Sequence, residues 1–201
     1  MERLRMIDPQ DWDPQLKAAV NPDERTDLEN GLMRFFAHRP ELALGLGAFG
    51  GALKRNRQLP ERLMELMRLR IAFHNQCRSC MAIRYPDAIE AGLYETLVCS
   101  LERPQDAPDL TDAERAALAF ADKFATDHWA IGHGDYEALR VNFSEPQLVE
   151  LGLLCALCLG VGRLARTWDM TAELPDAFRQ GAERIGPWQG EPVVVAGRRP
   201  K

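Results

Sequence analysis

The chain has 201 residues, 46% of them hydrophobic and 27% charged, with a formal net charge of −5. That length fits one large domain or two small ones and buries a substantial core, and the composition is that of a globular protein rather than a disordered or fibrous one. No block of lysines and arginines supplies a nucleic-acid footprint, and the opening stretch MERLRMIDPQDWDP is too polar for a secretory signal.

Residues 1–25 are rich in Pro, Asp and Asn and read as an irregular arm with one short helix, Pro14 to Val20. A helical domain is expected over 26–185, followed by a tail at 186–201. Thr26-Asp-Leu-Glu29 has the form of a capping box ahead of Leu32, Phe35 and Phe36. Pro40 suits the first turn of the next helix, Leu42 to Asn56, whose glycines Gly45, Gly47, Gly50 and Gly51 would permit close helix packing. Pro60 opens a helix to about His74. Cys77 to Gly92 reads as one further helix stopped by Gly92, and Tyr94 to Glu102 as a short one.

After the loop 103–110, Thr111-Asp-Ala-Glu114 is a second capping box, opening a helix to about Asp127. His128 and His133 flank Trp129 in a loop. A helix is expected over Gly134 to Phe143, a long one over about 145–167 with Pro146 in its first turn, and a last one over Leu174 to Ile185. Val193 to Val195 is the one β-like stretch. Strands and helices do not alternate, so the fold class is all-α, a helical bundle around a hairpin. The longest nearly apolar run, Leu151 to Gly162, is too short to cross a bilayer and ends at Arg163. A cytoplasmic protein with no membrane or nucleic-acid partner is therefore expected.

In that compartment thiols stay reduced, and a disulfide that forms is catalytic or sensory. The five cysteines, an odd number, argue against a disulfide framework. Cys77-Arg-Ser-Cys80 follows directly on the helix ending at His74, and that spacing lets the two sulfurs close a disulfide. The start of a helix favours a thiolate. On a continuous helix Arg84 would share the face of both cysteines and add positive charge. A proton carrier is also needed. Glu65, in the otherwise apolar stretch Leu63 to Phe73, is the first candidate, because burial raises a carboxyl pKa; His74 and His128 are the others. Glu65 paired with Arg62, Arg68 or Arg70, and Arg84 paired with Asp87 or Glu90, are the plainer structural readings. Cys155-Ala-Leu-Cys158 repeats the spacing, but lies mid-helix in an apolar run and reads as core packing rather than half of a zinc site. Cys99, Trp129, Trp168 and Phe124 read as packing residues.

Glu65, the eleven residues to Cys77, the Cys77–Cys80 pair and the turn Ala91-Gly92-Leu93 together resemble the alkylhydroperoxidase D-like / carboxymuconolactone decarboxylase superfamily over about residues 40–125. The resemblance implies an oligomeric all-α fold, a trimer or hexamer. It implies that Cys80 is the peroxide-attacking thiol, Cys77 the resolving one and Glu65 the acid–base group. It implies no bound metal or organic cofactor, and an external dithiol reductant of lipoyl type. Arg84 stands where the family has a histidine, and Ser79 where a second one sometimes lies. Arg84 stabilises a thiolate but does not shuttle protons near neutral pH. The leading expectation is a thiol-dependent oxidoreductase reducing small peroxides. The alternatives are a decarboxylase or isomerase of a small carboxylated lactone, with Arg84 as anchor and Glu65 as base, and a non-enzymatic thiol redox sensor.

Overall fold

The computed structural model describes residues 3–181 and 183–195. In chain order its elements are α1 (Pro14–Val20), α2 (Asp27–Phe36), α3 (Pro40–Arg55), α4 (Glu61–Asn75), α5 (Arg78–Ala82), β1 (Ile83–Arg84), α6 (Pro86–Glu90), α7 (Glu95–Cys99), α8 (Asp112–Thr126), α9 (His133–Arg140), α10 (Glu145–Trp168), α11 (Asp176–Arg179) and β2 (Val193–Val194). The fold is all-α. Among the described residues the sheet content is one parallel pair, Ile83 against Val193 and Arg84 against Val194.

Local chemistry sets the helix starts. Thr26 and Thr111 each accept a hydrogen bond from the N–H three residues on, and the carboxylates of Glu29 and Glu114 return to the threonine N–H at 2.8 Å. Both capping boxes therefore form, each satisfying donors that a helix leaves open. Gly92 lies in the left-handed region (φ 92°) just past α6, with Leu93 N–H donating to Ala88 O at 2.9 Å. That closes α6 with a Schellman turn.

Helix α4 is the axis of the domain. Leu66, Met67, Leu69 and Ile71 are wholly buried between α8 and α10, as an all-round apolar helix requires. Its charges leave the core in pairs: Arg62 with Glu114 at 2.8 Å and Arg70 with Asp122 at 2.6 Å, both on α8. Glu150 of α10 accepts from the N–H of Gln58 at 2.8 Å, tying down the loop before α4. Helix α1 forms over the residues read for it, and Trp12, Leu16 and Val20 pack on Ala37 and Ala43.

Several elements depart from the sequence reading. The helix expected over 77–92 ends at Ala82, because the chain turns extended at Ile83 (ψ 139°) and at Tyr85 (ψ 136°), the residue before Pro86. A residue preceding proline is pushed out of the helical region by the ring. The last helix, expected over Leu174 to Ile185, is held to Asp176–Arg179. Gly45, Gly47 and Gly50 face no neighbour: a Cβ there would meet nothing within 4 Å. Trp129 is 89% exposed rather than packed, and Cys99 is exposed rather than in the core. Helix α10, at 24 residues, meets the length and composition needed to cross a membrane, although the apolar run within it does not. It packs against α4 and α8, with only a third of its most apolar window buried. The end of the tail, residues 196–201, lies outside the described residues.

Asp122 joins α8 to α4 by accepting from both Arg70 and His74, the latter at 2.7 Å. Burial pushes its carboxyl up, but the hydrogen bonds from His74 and Arg70 and the Arg70 charge outweigh it, so the net shift is down. A depressed carboxylate contributes stability above its unfolded pKa of about 3.9 and loses it as pH falls toward the folded value. Asp122→Asn is expected to lower the urea midpoint at neutral pH and to flatten its decline in acid. Urea titrations across the acid range check this; the same loss at every pH would contradict the assignment.

Candidate functional site

The reversal at Gln76 builds the site. This residue ends α4 in the left-handed conformation (φ 51°), and its side chain holds the turn by donating to Ile185 O and accepting from Ile185 N–H. The chain therefore leaves α4 directly into Cys77, the N-cap of α5. Cys77 and Cys80 are joined as a disulfide across a Cα separation of 5.2 Å.

The two sulfurs differ in surroundings. Cys77 is 1% exposed, and its sulfur accepts the Cys80 N–H at 3.3 Å and lies 3.6 Å from the Ser79 hydroxyl. Cys80 is part-exposed and lines a cavity of about 550 Å³. Leu32, Met33, Phe36 and Leu46 form its apolar side, and Arg68 and Lys54 bring positive charge.

Arg68 is the charged centre beside the pair. It donates to both oxygens of Glu65 at 2.6 Å, to the carbonyl of Cys80 at 2.6 Å and to that of Ile83 at 2.8 Å. Burial disfavours its charge, but the Glu65 carboxylate and its hydrogen bonds outweigh that and raise the Arg68 pKa. Glu65 is 4% exposed and does not line the cavity; Arg68 stands between it and Cys80. Of the pairings read for Glu65, the structure forms the one with Arg68.

The remaining sequence candidates lie elsewhere. Arg84 is 1% exposed and faces away from the cavity. It pairs with Glu95 at 2.9 Å, not with Asp87 or Glu90, and donates to the carbonyls of Met81, Ile83 and Pro187. The break after Ala82 is the reason: side chains alternate along an extended stretch, so Ile83 and Tyr85 line the cavity while Arg84 does not. His74 is held by Asp122 on the α8 side. His128 is exposed and rests on Trp129. Arg78 clamps the C-terminal segment through the carbonyls of Phe178, Gln180 and Gly181.

Sequence reasoning missed Tyr85 and Cys158. Tyr85 stacks over the Arg68 guanidinium, 5.1 Å from ring centroid to charge. Cys158 packs against the core, as read, and also lines the cavity; burial pushes its thiol up to about 11 against the lowering effect of Arg68. Cys155 is wholly buried, and burial raises its thiol further. The signal for Tyr85 was present in Pro86; that for Cys158 was not, because nothing local distinguishes it from Cys155.

Residues 40–123 match the profile of the carboxymuconolactone decarboxylase family. Uncharacterized proteins from two strains of Mycobacterium tuberculosis are 33% identical over 118 residues, 57% of this chain; the chain spans 40% of the length of these curated relatives. Among solved structures, the alkylhydroperoxidase AhpD core of a peroxidase-related protein from Ralstonia eutropha superposes with a TM-score of 0.67. Its identity is 20%, over 88% of this chain and 94% of that one. A variant of the debrominase Bmp8 in complex with 2,3,4-tribromopyrrole gives 0.70 at 20% identity, over 89% and 95%. These likenesses establish a shared fold.

The unequal exposure of the thiols has a direct readout. After reduction, a small alkylating agent in limiting amount is expected to label Cys80 and Cys99 first, with Cys77 and Cys155 labelled only on unfolding. Peptide mapping by mass spectrometry checks this, and prompt labelling of Cys77 would contradict the described geometry.

Proposed function

We propose, on the premise that the core at residues 40–123 belongs to the carboxymuconolactone decarboxylase family and carries the AhpD-like fold, that this protein is a thiol-dependent oxidoreductase reducing small organic peroxides. The observation that carries the reading is the unequal pair: Cys80 on an apolar cavity beside a buried guanidinium, and Cys77 sealed behind it within bonding distance.

In the reduced pair the nearby positive charge favours the Cys80 thiolate. The thiolate attacks the terminal peroxide oxygen; the S–O bond forms as the O–O bond breaks, leaving an alkoxide that must be protonated. Cys80 sulfenic acid then condenses with the Cys77 thiol, forming the disulfide and releasing water. An external dithiol, a lipoyl-type partner in this reading, exchanges with the disulfide and returns the pair to its reduced form. Glu65 supports this chemistry through Arg68, whose charge and position it fixes. The orientation of Arg84 disfavours a carboxylated lactone as substrate, since the guanidinium offered as its anchor faces Glu95.

We also propose that the protein works as a homo-oligomer, a trimer or hexamer. Leu42 and Phe49 on α3 and Val149, Leu153 and Leu164 on α10 are exposed. Contiguous apolar helix faces of this kind mark association surfaces. Light scattering on the eluting protein is expected to give a multiple of 22.7 kDa; a monomer overturns this part of the proposal.

The activity is tested by peroxide consumption with a dithiol. Wild type is expected to turn over an alkyl hydroperoxide, and Cys80→Ser to lose turnover entirely. Cys77→Ser should undergo one oxidation and stop at the sulfenic acid. Arg68→Met, which withdraws the positive charge beside the thiolate, should slow attack at neutral pH. A halogenated pyrrole is the second substrate class to assay, given the debrominase that shares the fold. Undiminished turnover in the double variant Cys77→Ser, Cys80→Ser would overturn the thiol mechanism.

A further inference from the structure

The peroxide reading leaves one chemical role unfilled: the group that hands a proton to the leaving atom. Glu65 has both oxygens engaged by Arg68 and does not reach the cavity. His74 is bound to Asp122 on another side of α4, His128 lies exposed beside Trp129, and Arg84 faces Glu95. An arginine would in any case not release its proton.

We propose that Tyr85 is the proton donor of the cavity, its phenol hydroxyl protonating the atom that leaves when the Cys80 thiolate attacks. Four observations converge on this residue. The extended stretch Ile83–Tyr85 presents Ile83 and Tyr85 to the cavity that Cys80 also lines. The tail strap holds that stretch in register by the parallel pairing of β1 with β2 and by the Val195 N–H donating to Arg84 O at 3.1 Å. One guanidinium then touches both reacting residues: Arg68 stacks under the Tyr85 ring and donates to the Cys80 carbonyl. Finally, no hydrogen bond among the described residues engages the Tyr85 hydroxyl, and the residue is 37% exposed, so the O–H remains available to a molecule in the cavity.

The surroundings keep the phenol protonated and ready to donate. Burial raises its pKa first and Glu65 and Cys158 add to that, while Arg68 and Lys54 oppose. Lys54 is itself paired with Asp87 at 2.6 Å. The step balances as follows. The thiolate sulfur bonds to the terminal oxygen, the O–O electron pair departs on the alkoxide, and the alkoxide takes the phenol proton to leave as alcohol. The phenolate, transiently stabilised by the Arg68 charge, regains a proton from solvent. Cys158, Ser79 and Lys54 also bear protons on this cavity, but a thiol is a weak donor, the Ser79 hydroxyl lies against the Cys77 sulfur, and Lys54 is held by Asp87.

This proposal rests on the peroxide reading, and its test separates the two. The reduced full-length protein is reacted with cumene hydroperoxide, whose alkoxide must be protonated, and with an aromatic reporter disulfide, whose thiolate leaves unprotonated. Tyr85→Phe is expected to slow the peroxide reaction roughly tenfold or more and to leave the reporter reaction within about twofold of wild type. Equal slowing of both reactions by Tyr85→Phe would mark a structural role and overturn the proposal, as would no slowing of either. If wild type reacts with the reporter but not with the peroxide, the peroxide reading fails on its own. An alkyl disulfide with a basic leaving thiolate then replaces the peroxide: slowing confined to it supports the donor role, and equal rates refute it. A wild type inert to every probe refutes both.

Discussion

The site depends on one buried charge. Arg68 makes four hydrogen bonds, two to Glu65 and one each to the carbonyls of Cys80 and Ile83. A guanidinium this deep is tolerated only when paired and hydrogen-bonded, and stripping its partner from such a pair costs about 3–5 kcal/mol. Glu65 is therefore a structural requirement of Arg68. The two carbonyls lie at the ends of the short segment that carries Cys80 and its exit from α5. One side chain thus fixes where Cys80 sits, supplies positive charge beside it, and stacks under the ring that faces it. Lysine would not reproduce this, because its point charge lacks the planar fork that reaches a carboxylate and two carbonyls together.

A second constraint follows from the break after Ala82. Had α5 run on, the 3.6-residue period would have carried Arg84 onto the cysteine face and turned Tyr85 away. Pro86 denies Tyr85 a helical conformation, and the strap at Val193–Val194 captures the extended backbone that results. The pair between buried Arg84 and exposed Glu95 then closes the far side, and Arg84 also takes up the Pro187 carbonyl. The C-terminal tail is thus bound twice, by backbone pairing and by Arg84, and Arg78 fastens the segment just before it. A segment far away in sequence sets which of two adjacent side chains meets the cavity.

This marks the boundary of what was legible in the chain. Capping boxes at Thr26 and Thr111, prolines at helix starts and the apolar run of α4 are local signals, and the elements they announce form. The Cys77–Cys80 spacing and its distance from Glu65 are also local, and they carry the resemblance to the family whose profile residues 40–123 match. What escaped was long-range. The pairing of β1 with β2 joins residues more than a hundred positions apart, and two-residue strands leave no periodicity to read. Glu65 and Arg68, three apart on one helix, read as one of three alternative pairings on α4; their value lies in the Cys80 and Ile83 carbonyls, which only the folded turn at Gln76 delivers.

The second cysteine pair makes the same point from the opposite side. Cys155 and Cys158 have the spacing of Cys77 and Cys80, yet they sit mid-helix on α10 and no disulfide joins them. Along an uninterrupted helix every backbone N–H is already spent on the i−4 carbonyl, so neither sulfur receives one. At the N-cap of α5 the Cys80 N–H is still available, and the Cys77 sulfur takes it. Burial then finishes the division. The Cys155 thiol is driven up by its surroundings with no cation to oppose them, and that of Cys158 is moderated only by Arg68. Spacing alone brings two sulfurs within reach. A helix start, a neighbouring guanidinium and an opening on one side of the pair are what set Cys80 apart from the packed Cys155.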